Sequence, residues 1–312
     1  MAENKPFIVE LIDEKQVPFL MEIYGKKACV CYDTPFEKAL AVAKSCIRTG
    51  HFSPSRGQQL EFLIRDIPRS CADQLVRHVQ GTSPAMMSFR YVNVAESNWY
   101  TPKRIQEDAE LEEIYDDAQI YARQAYYKLV EKLKAKGYTH EQAQECARGI
   151  IPMNTVTNLA IGMSLEAIIN LCSKRLCNRA EEAIGMLAVQ VREIVLEHIP
   201  EMERYLKAPC VNAQGNWRVQ RCPEGRMCCA SEPKYLVSHL DYDTKFKPQF
   251  KELLQHCMTH CDTVEMSPCL NTGCDDCIRA FVMSNFPEDL ATNFVKFYEL
   301  NNGSFEQCLA EL

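Results

Sequence analysis

Apolar and polar positions along the chain follow two rhythms, and these mark out its elements. Residues 7–12, Phe-Ile-Val-Glu-Leu-Ile, have the character of a short strand, and residues 59–65, Gln-Leu-Glu-Phe-Leu-Ile-Arg, repeat it. Between them, Thr34-Pro35-Phe36-Glu37 predicts a helix start, with Thr34 as cap, Pro35 at the first helical position and Glu37 closing a capping box. That helix is expected to end near Gly50. Pro68 through His78 reads as a short helix. From Gln106 to about Ala135 apolar residues recur in steps of three and four, through Leu111, Ile114, Tyr115, Ala118, Tyr121, Ala122, Ala125, Leu129 and Leu133. This predicts one long amphipathic helix, closed by Gly137. Thr139 to Gln142 starts another helix with a capping-box pattern. A third long helical segment is expected from about Met163 to His198, ahead of Pro200. The chain reads as mixed α and β, helix-rich in its second half.

Composition narrows the class. The chain has 312 residues, enough for one large domain or two smaller ones. Its 35 Lys and Arg against 42 Asp and Glu give a net charge of −7, which argues against a general nucleic-acid binder. No run of about 18 apolar residues offers a membrane span. The charged start has too short an apolar run for a signal peptide, so the expected location is the cytoplasm. There the 17 cysteines are expected as thiols or metal ligands rather than disulfides. Ten of the 17 lie from Cys210 onward. The expected organisation is a main domain over 1–207 and a cysteine-rich, mainly helical extension over 208–312.

Candidate chemistry sits in two stretches. Arg77, His78 and Arg90 flank a Gly/Thr/Ser/Pro loop, where guanidinium groups and backbone N–H donors suit a phosphate. Taken alone, such arginines beside a polar loop are usually surface salt-bridge formers. Later, Asn170 and Lys174, and Arg175 and Arg179, stand four apart on a helix. That spacing fits an anion held between like charges, or a solvated basic face.

Taken in order, these stretches resemble the flavin-dependent thymidylate synthases. The likeness runs over about residues 7–228. It takes in Cys31-Tyr32-Asp33, Gly50-His51-Phe52-Ser53, the signature loop ending Ser88-Phe89-Arg90-Tyr91, and Ala147-Arg148 with Ile151-Pro152. It continues through Arg175-Leu-Cys-Asn-Arg-Ala180 and Cys222-Pro-Glu-Gly-Arg-Met-Cys228. The resemblance implies an α+β fold with an antiparallel sheet and a homotetramer with shared active sites. It implies FAD as cofactor, and dUMP, methylenetetrahydrofolate and NADPH as partners, with no nucleic acid or membrane. By position, Gln74, Ser88, Arg90, Arg148 and Arg175 match residues that hold dUMP, with Arg175 and Ser88 nearest the chemistry. His51, Arg77, His78 and Asn170 match positions near the flavin.

The match departs from the family pattern at particular residues. Val79 stands where the signature has its third basic residue, and eight residues rather than seven precede Ser88. Met86 is apolar where an acid or amide is usual. Arg56 stands for a usual glutamate, and Ser164-Leu165-Glu166 for Asn-Ala-Arg. Arg56 and Glu166 are therefore expected to form a reversed ion pair. Because these changes fall on flavin contacts, a second reading stays open. In it the protein is a paralogue acting on another pyrimidine nucleotide at C5, or a non-catalytic nucleotide-binding scaffold.

Cys210, Cys222, Cys228 and Cys229 resemble a cysteine cluster in some family members. Further on, Cys257 and Cys261 are one helical turn apart and Cys274 and Cys277 form a CxxC, which together suit zinc. Cys269 and His260 compete for places in that set. Buried free thiols are the alternative.

Overall fold

The computed structural model describes residues 6–211, 222–231, 233 and 294. Two compact units divide the chain, Met1–Pro233 and Lys234–Leu312, and the sheet and helices named below belong to the first. Its centre is a four-stranded antiparallel sheet in the order β1-β2-β4-β3, with β1 Ile8–Leu11, β2 Leu60–Pro68, β3 Thr82–Met86 and β4 Val156–Met163.

The strand β2 shows how sequence becomes register. Leu60, Phe62 and Ile64 alternate into the core at 1% exposure or less. The alternation then breaks at Arg65 and Asp66, and the pairing with β4 shifts between Ile64 and Ile67. Asp66 takes a positive φ of 59°, and its N–H donates to Asn158 Oδ1 at 3.0 Å instead of continuing the ladder. The bulge adds one residue, so Ile67 again points inward. Strand β3 lies at the sheet edge, where Pro84, with no N–H to give, is tolerated.

Helices cover the sheet. Gln16–Cys31 (α1) buries Val17, Leu20, Met21, Tyr24 and Ala28, a stripe of one helical face. It packs on Ala39–Thr49 (α2) so closely that a Cβ added at Gly25 would lie 2.1 Å from the Ala39 carbonyl oxygen. Gly50 ends α2 at φ 79°, as expected of a left-handed cap. The start of this region differs from expectation. Phe36–Lys38 is a 3₁₀ turn with no side-chain cap, because Pro35, which has no side-chain acceptor, takes the capping position, and the Thr34 hydroxyl donates back to the Tyr32 carbonyl. Arg69–Leu75 (α3) follows β2 directly. Lys103–Gln106 (α4) and the long Ala109–Ala135 (α5) follow, the latter capped by the Asp108 carboxylate. His140–Ala147 (α6) forms the expected capping box, with both Thr139–Gln142 hydrogen bonds present.

The segment expected as one helix from Met163 to His198 is resolved differently. Met163 ends β4, Ser164 caps Leu165–Arg175 (α7) through its hydroxyl, and Glu182–His198 (α8) follows a break. Helix α5 is also unusual in burial. Only Gln119 and Tyr126 are buried, while Ile114 and Tyr121 stay 62% and 76% exposed. Among the described residues no helix is long and apolar enough to cross a membrane.

The ion pair expected between Arg56 and Glu166 is present and two-pronged. Arg56 Nε donates to Glu166 Oε2 at 2.8 Å and Nη2 to Oε1 at 2.9 Å, tying the loop after α2 to the first turn of α7. The hydrogen bonds from Arg56 hold the Glu166 carboxyl below its ordinary range, against a smaller opposing effect of burial. A double-mutant cycle of Arg56→Ala and Glu166→Ala, read by urea midpoints, is expected to show favourable coupling that shrinks with added salt. Strictly additive losses would mean that the two prongs contribute nothing to stability.

Candidate functional site

The first group of site residues forms between α3 and α7. Arg175 closes α7, where the free carbonyl end of a helix favours a cation. Its Nε donates to His78 Nε2 at 3.1 Å and its Nη1 to Gln74 Oε1 at 3.4 Å. The Gln74 amide nitrogen donates to a Glu181 carboxylate oxygen, which fixes the end of the amide that faces the arginine. His78 is buried and accepts from a guanidinium, so its Nε2 is bare and its proton sits on Nδ1. Burial first, then the Arg175 and Lys174 charges, holds His78 below the ordinary value of 6.5. Gln74, His78 and Arg175, expected from different stretches of sequence, are thus one hydrogen-bonded group.

The second group lines a cleft of about 540 Å³. Ser88 and Arg148 are on its wall together with Arg69, Asp73, Met86, Met87 and Phe89, and the segment Gly149, Ile151, Pro152 and Met153 completes it. Asp73 and Gln74 are neighbours on α3, so the cleft and the Arg175 group share that helix. Arg69 and Asp73 were not singled out in the sequence. Their only signal there was the spacing of four that pairs them, Arg69 Nε to Asp73 Oδ1 at 3.1 Å.

The other expected residues lie apart from these contacts. Arg90 pairs with Glu145 at 3.2 Å and stands over the Tyr91 ring at 5.6 Å. Its Nε is buried without a hydrogen-bond partner among the described residues. Within one chain Arg90 and Arg175 have separate partners, and Arg148 stands on the cleft wall. His51 is held on three sides. The Tyr32 hydroxyl meets its Nδ1 at 2.5 Å, Ser53 Oγ meets Nε2 at 2.9 Å, and its carbonyl accepts from the Tyr24 hydroxyl at 2.6 Å. Arg77 is exposed, and Asn170 accepts through its carbonyl from Ser173. The expected metal ligands Cys257, Cys261, Cys274 and Cys277 lie outside the described residues. Among the described residues no group of three or more His, Cys, Asp or Glu is arranged to hold a metal ion.

His78 gives the site a pH signature. Its native pKa is lowered, so below about 6.5 the unfolded chain takes up the proton first and stability falls as pH falls. Above 6.5 its contribution is constant. Urea midpoints between pH 7.5 and 5 are expected to decline more steeply in the parent than in His78→Gln, which does not titrate. Equal slopes would remove the assignment of a neutral His78.

Comparisons with known proteins bear on the same region. The family model of the thymidylate synthase complementing protein matches residues 20–201, which contain every site residue named above except the tail cysteines. The flavin-dependent thymidylate synthase of Mycolicibacterium vanbaalenii is 28% identical over 227 residues, covering 65% of this chain and 90% of the relative. That of Mycobacterium tuberculosis is 29% identical over 215 residues, covering 61% and 86%. That of Nitratidesulfovibrio vulgaris is 28% identical over 198 residues, covering 63% and 78%. A family match spanning β2 to α8, and with them the Arg175 group and the arginine-lined cleft, means that this chain belongs to the thymidylate synthase complementing protein family.

Proposed function

We propose that this protein is a flavin-dependent thymidylate synthase. It converts dUMP to dTMP by reductive methylation at C5, with methylenetetrahydrofolate as carbon donor, NADPH as reductant and FAD as the flavin. The observation that carries this reading is the Gln74–His78–Arg175 group beside a cleft bearing Ser88 and Arg148, within a chain of this family.

The residues suit the chemistry. Attack through the uracil C5 pushes negative charge onto the ring, and a guanidinium fixed in advance stabilises it without reorganising. Arg175 is fixed in this way, because a neutral His78 and an oriented Gln74 take two of its donors. Its Nη2 has no hydrogen bond among the described residues and is free for the ring. Arg148 and Ser88, both on the cleft wall, offer donors to the phosphate. The donor set also fits a flavin. The side chains of Arg77 and Asn170 have no hydrogen-bonding partner among the described residues, and His51 is locked in orientation by Tyr32 and Ser53. When bound, the flavin supplies the hydride that completes the methyl group; the chain's own residues position and polarise.

Purified protein supplied with FAD is expected to carry a flavin spectrum and to oxidise NADPH in a dUMP-dependent way with dTMP as product. Arg175→Ala is expected to lower turnover by about 10²- to 10³-fold, the usual effect of losing one charge-stabilising donor. A colourless protein inert in that assay would return the reading of a nucleotide-binding paralogue.

The exposed apolar face of α5 supports the homotetramer. Leu111, Ile114, Tyr121 and Leu129 are each at least 42% exposed on one helix, and burial against another copy of the chain removes that area from water. Sedimentation of Ile114→Glu with Tyr121→Glu is expected to show smaller species than the parent. An unchanged mass would mean that this face is not the contact.

A further inference from the structure

We propose that Arg69 is a phosphate-binding residue of the cleft, acting with Arg148 on the 5′-phosphate of the nucleotide. This rests on the thymidylate synthase reading and adds to it a residue that the sequence did not flag.

Arg69 is held through both its backbone and its side chain. It is the first residue of α3, and its own N–H donates to the Thr155 carbonyl at 3.0 Å, while that of Ser70 donates to the Met153 carbonyl at 2.8 Å. The first turn of the helix is thereby stitched to the segment that lines the cleft. The side chain is fixed as well. Its Nε donates to Asp73, and its guanidinium lies over the Phe89 ring at 5.2 Å. Phe89 adjoins Ser88, so the arginine is tied to the loop that carries that hydroxyl.

These contacts leave a binding fork. Both terminal nitrogens of Arg69 are without a hydrogen bond among the described residues, and its side chain is 27% exposed. Arg148 lines the same cleft and has no ion pair among the described residues. The cleft thus holds two guanidinium groups against one carboxylate, and that carboxylate is occupied on the Nε side of Arg69. A phosphomonoester carries nearly two negative charges and accepts planar, two-pronged donors, which matches the pair. Asp73 sets the orientation of the fork and keeps a free arginine from wandering. A carboxylate at the tail of the folate is another anion of this reaction, and the test separates it from the nucleotide phosphate.

The test is equilibrium binding of dUMP, deoxyuridine and methylenetetrahydrofolate to the parent, Arg69→Gln, Arg69→Lys and Arg148→Gln, with thermal midpoints taken alongside. Arg69→Gln is expected to weaken dUMP about 10- to 100-fold, the scale of one charged hydrogen-bonded contact, and to leave deoxyuridine unchanged. Arg69→Lys keeps the charge and the Asp73 pair and is expected to recover part of the loss. Unchanged dUMP binding in Arg69→Gln, an equal loss for nucleotide and nucleoside, or a loss confined to the folate would each overturn the assignment. If Arg148→Gln weakens dUMP while Arg69→Gln does not, the function stands and Arg69 alone is excluded. If the parent binds no dUMP, both fall together.

Discussion

Two backbone ladders meet on β4, and the site depends on that meeting. On one side β4 pairs with β2, whose end runs straight into α3 and its row of Arg69, Asp73, Gln74 and, just beyond, His78. On the other it pairs with β3, whose end delivers Ser88 and Phe89. Its own end leads through the Ser164 cap into α7, with Asn170 and Arg175. Residues about a hundred positions apart are neighbours because one strand is hydrogen-bonded along both edges. A strand paired on both sides is also the least able to slip, since a one-residue shift would turn its buried side chains outward.

The site handles its cations by giving each a different kind of partner. Arg175 faces a buried histidine, an arrangement stable only while the imidazole is neutral. Arg69 is paired with a carboxylate one turn away and rests on an aromatic face. Arg56 is held through Nε and Nη2 by Glu166, so its charge joins two elements. Partnering of this kind fixes direction, which matters more for recognising a flat pyrimidine or a tetrahedral phosphate than added charge does.

Much of this was legible in the sequence, for reasons that differ by element. The edge strand β1, the helix ending at Gly50, α5 and the Thr139 capping box each carry a local signal that tertiary structure leaves intact. Strand β4 does not. Val156 to Met163 includes Asn158 and Gly162, lacks clean alternation and is buried on both faces, so it reads as the approach to a helix. Strand β3 is mostly exposed and contains Pro84, which hides its pairing. The Thr34 cap failed because the turn starts at Phe36, which puts Pro35 and not Thr34 at the capping position. Within the site, the resemblance named Gln74, His78 and Arg175, which do come together. It could not name Arg69, whose meaning depends on Phe89 and on a cleft wall from another part of the chain.

The bulge at Asp66 has a wider consequence. Without the added residue, β2 would reach Pro68 half a pleat out of phase, and α3 would set off with its polar row turned away from the cleft. Trimming one residue there would leave the apolar inventory of the protein intact while dismantling its recognition face. The length of that strand is therefore a functional parameter, as much as the identity of its buried side chains.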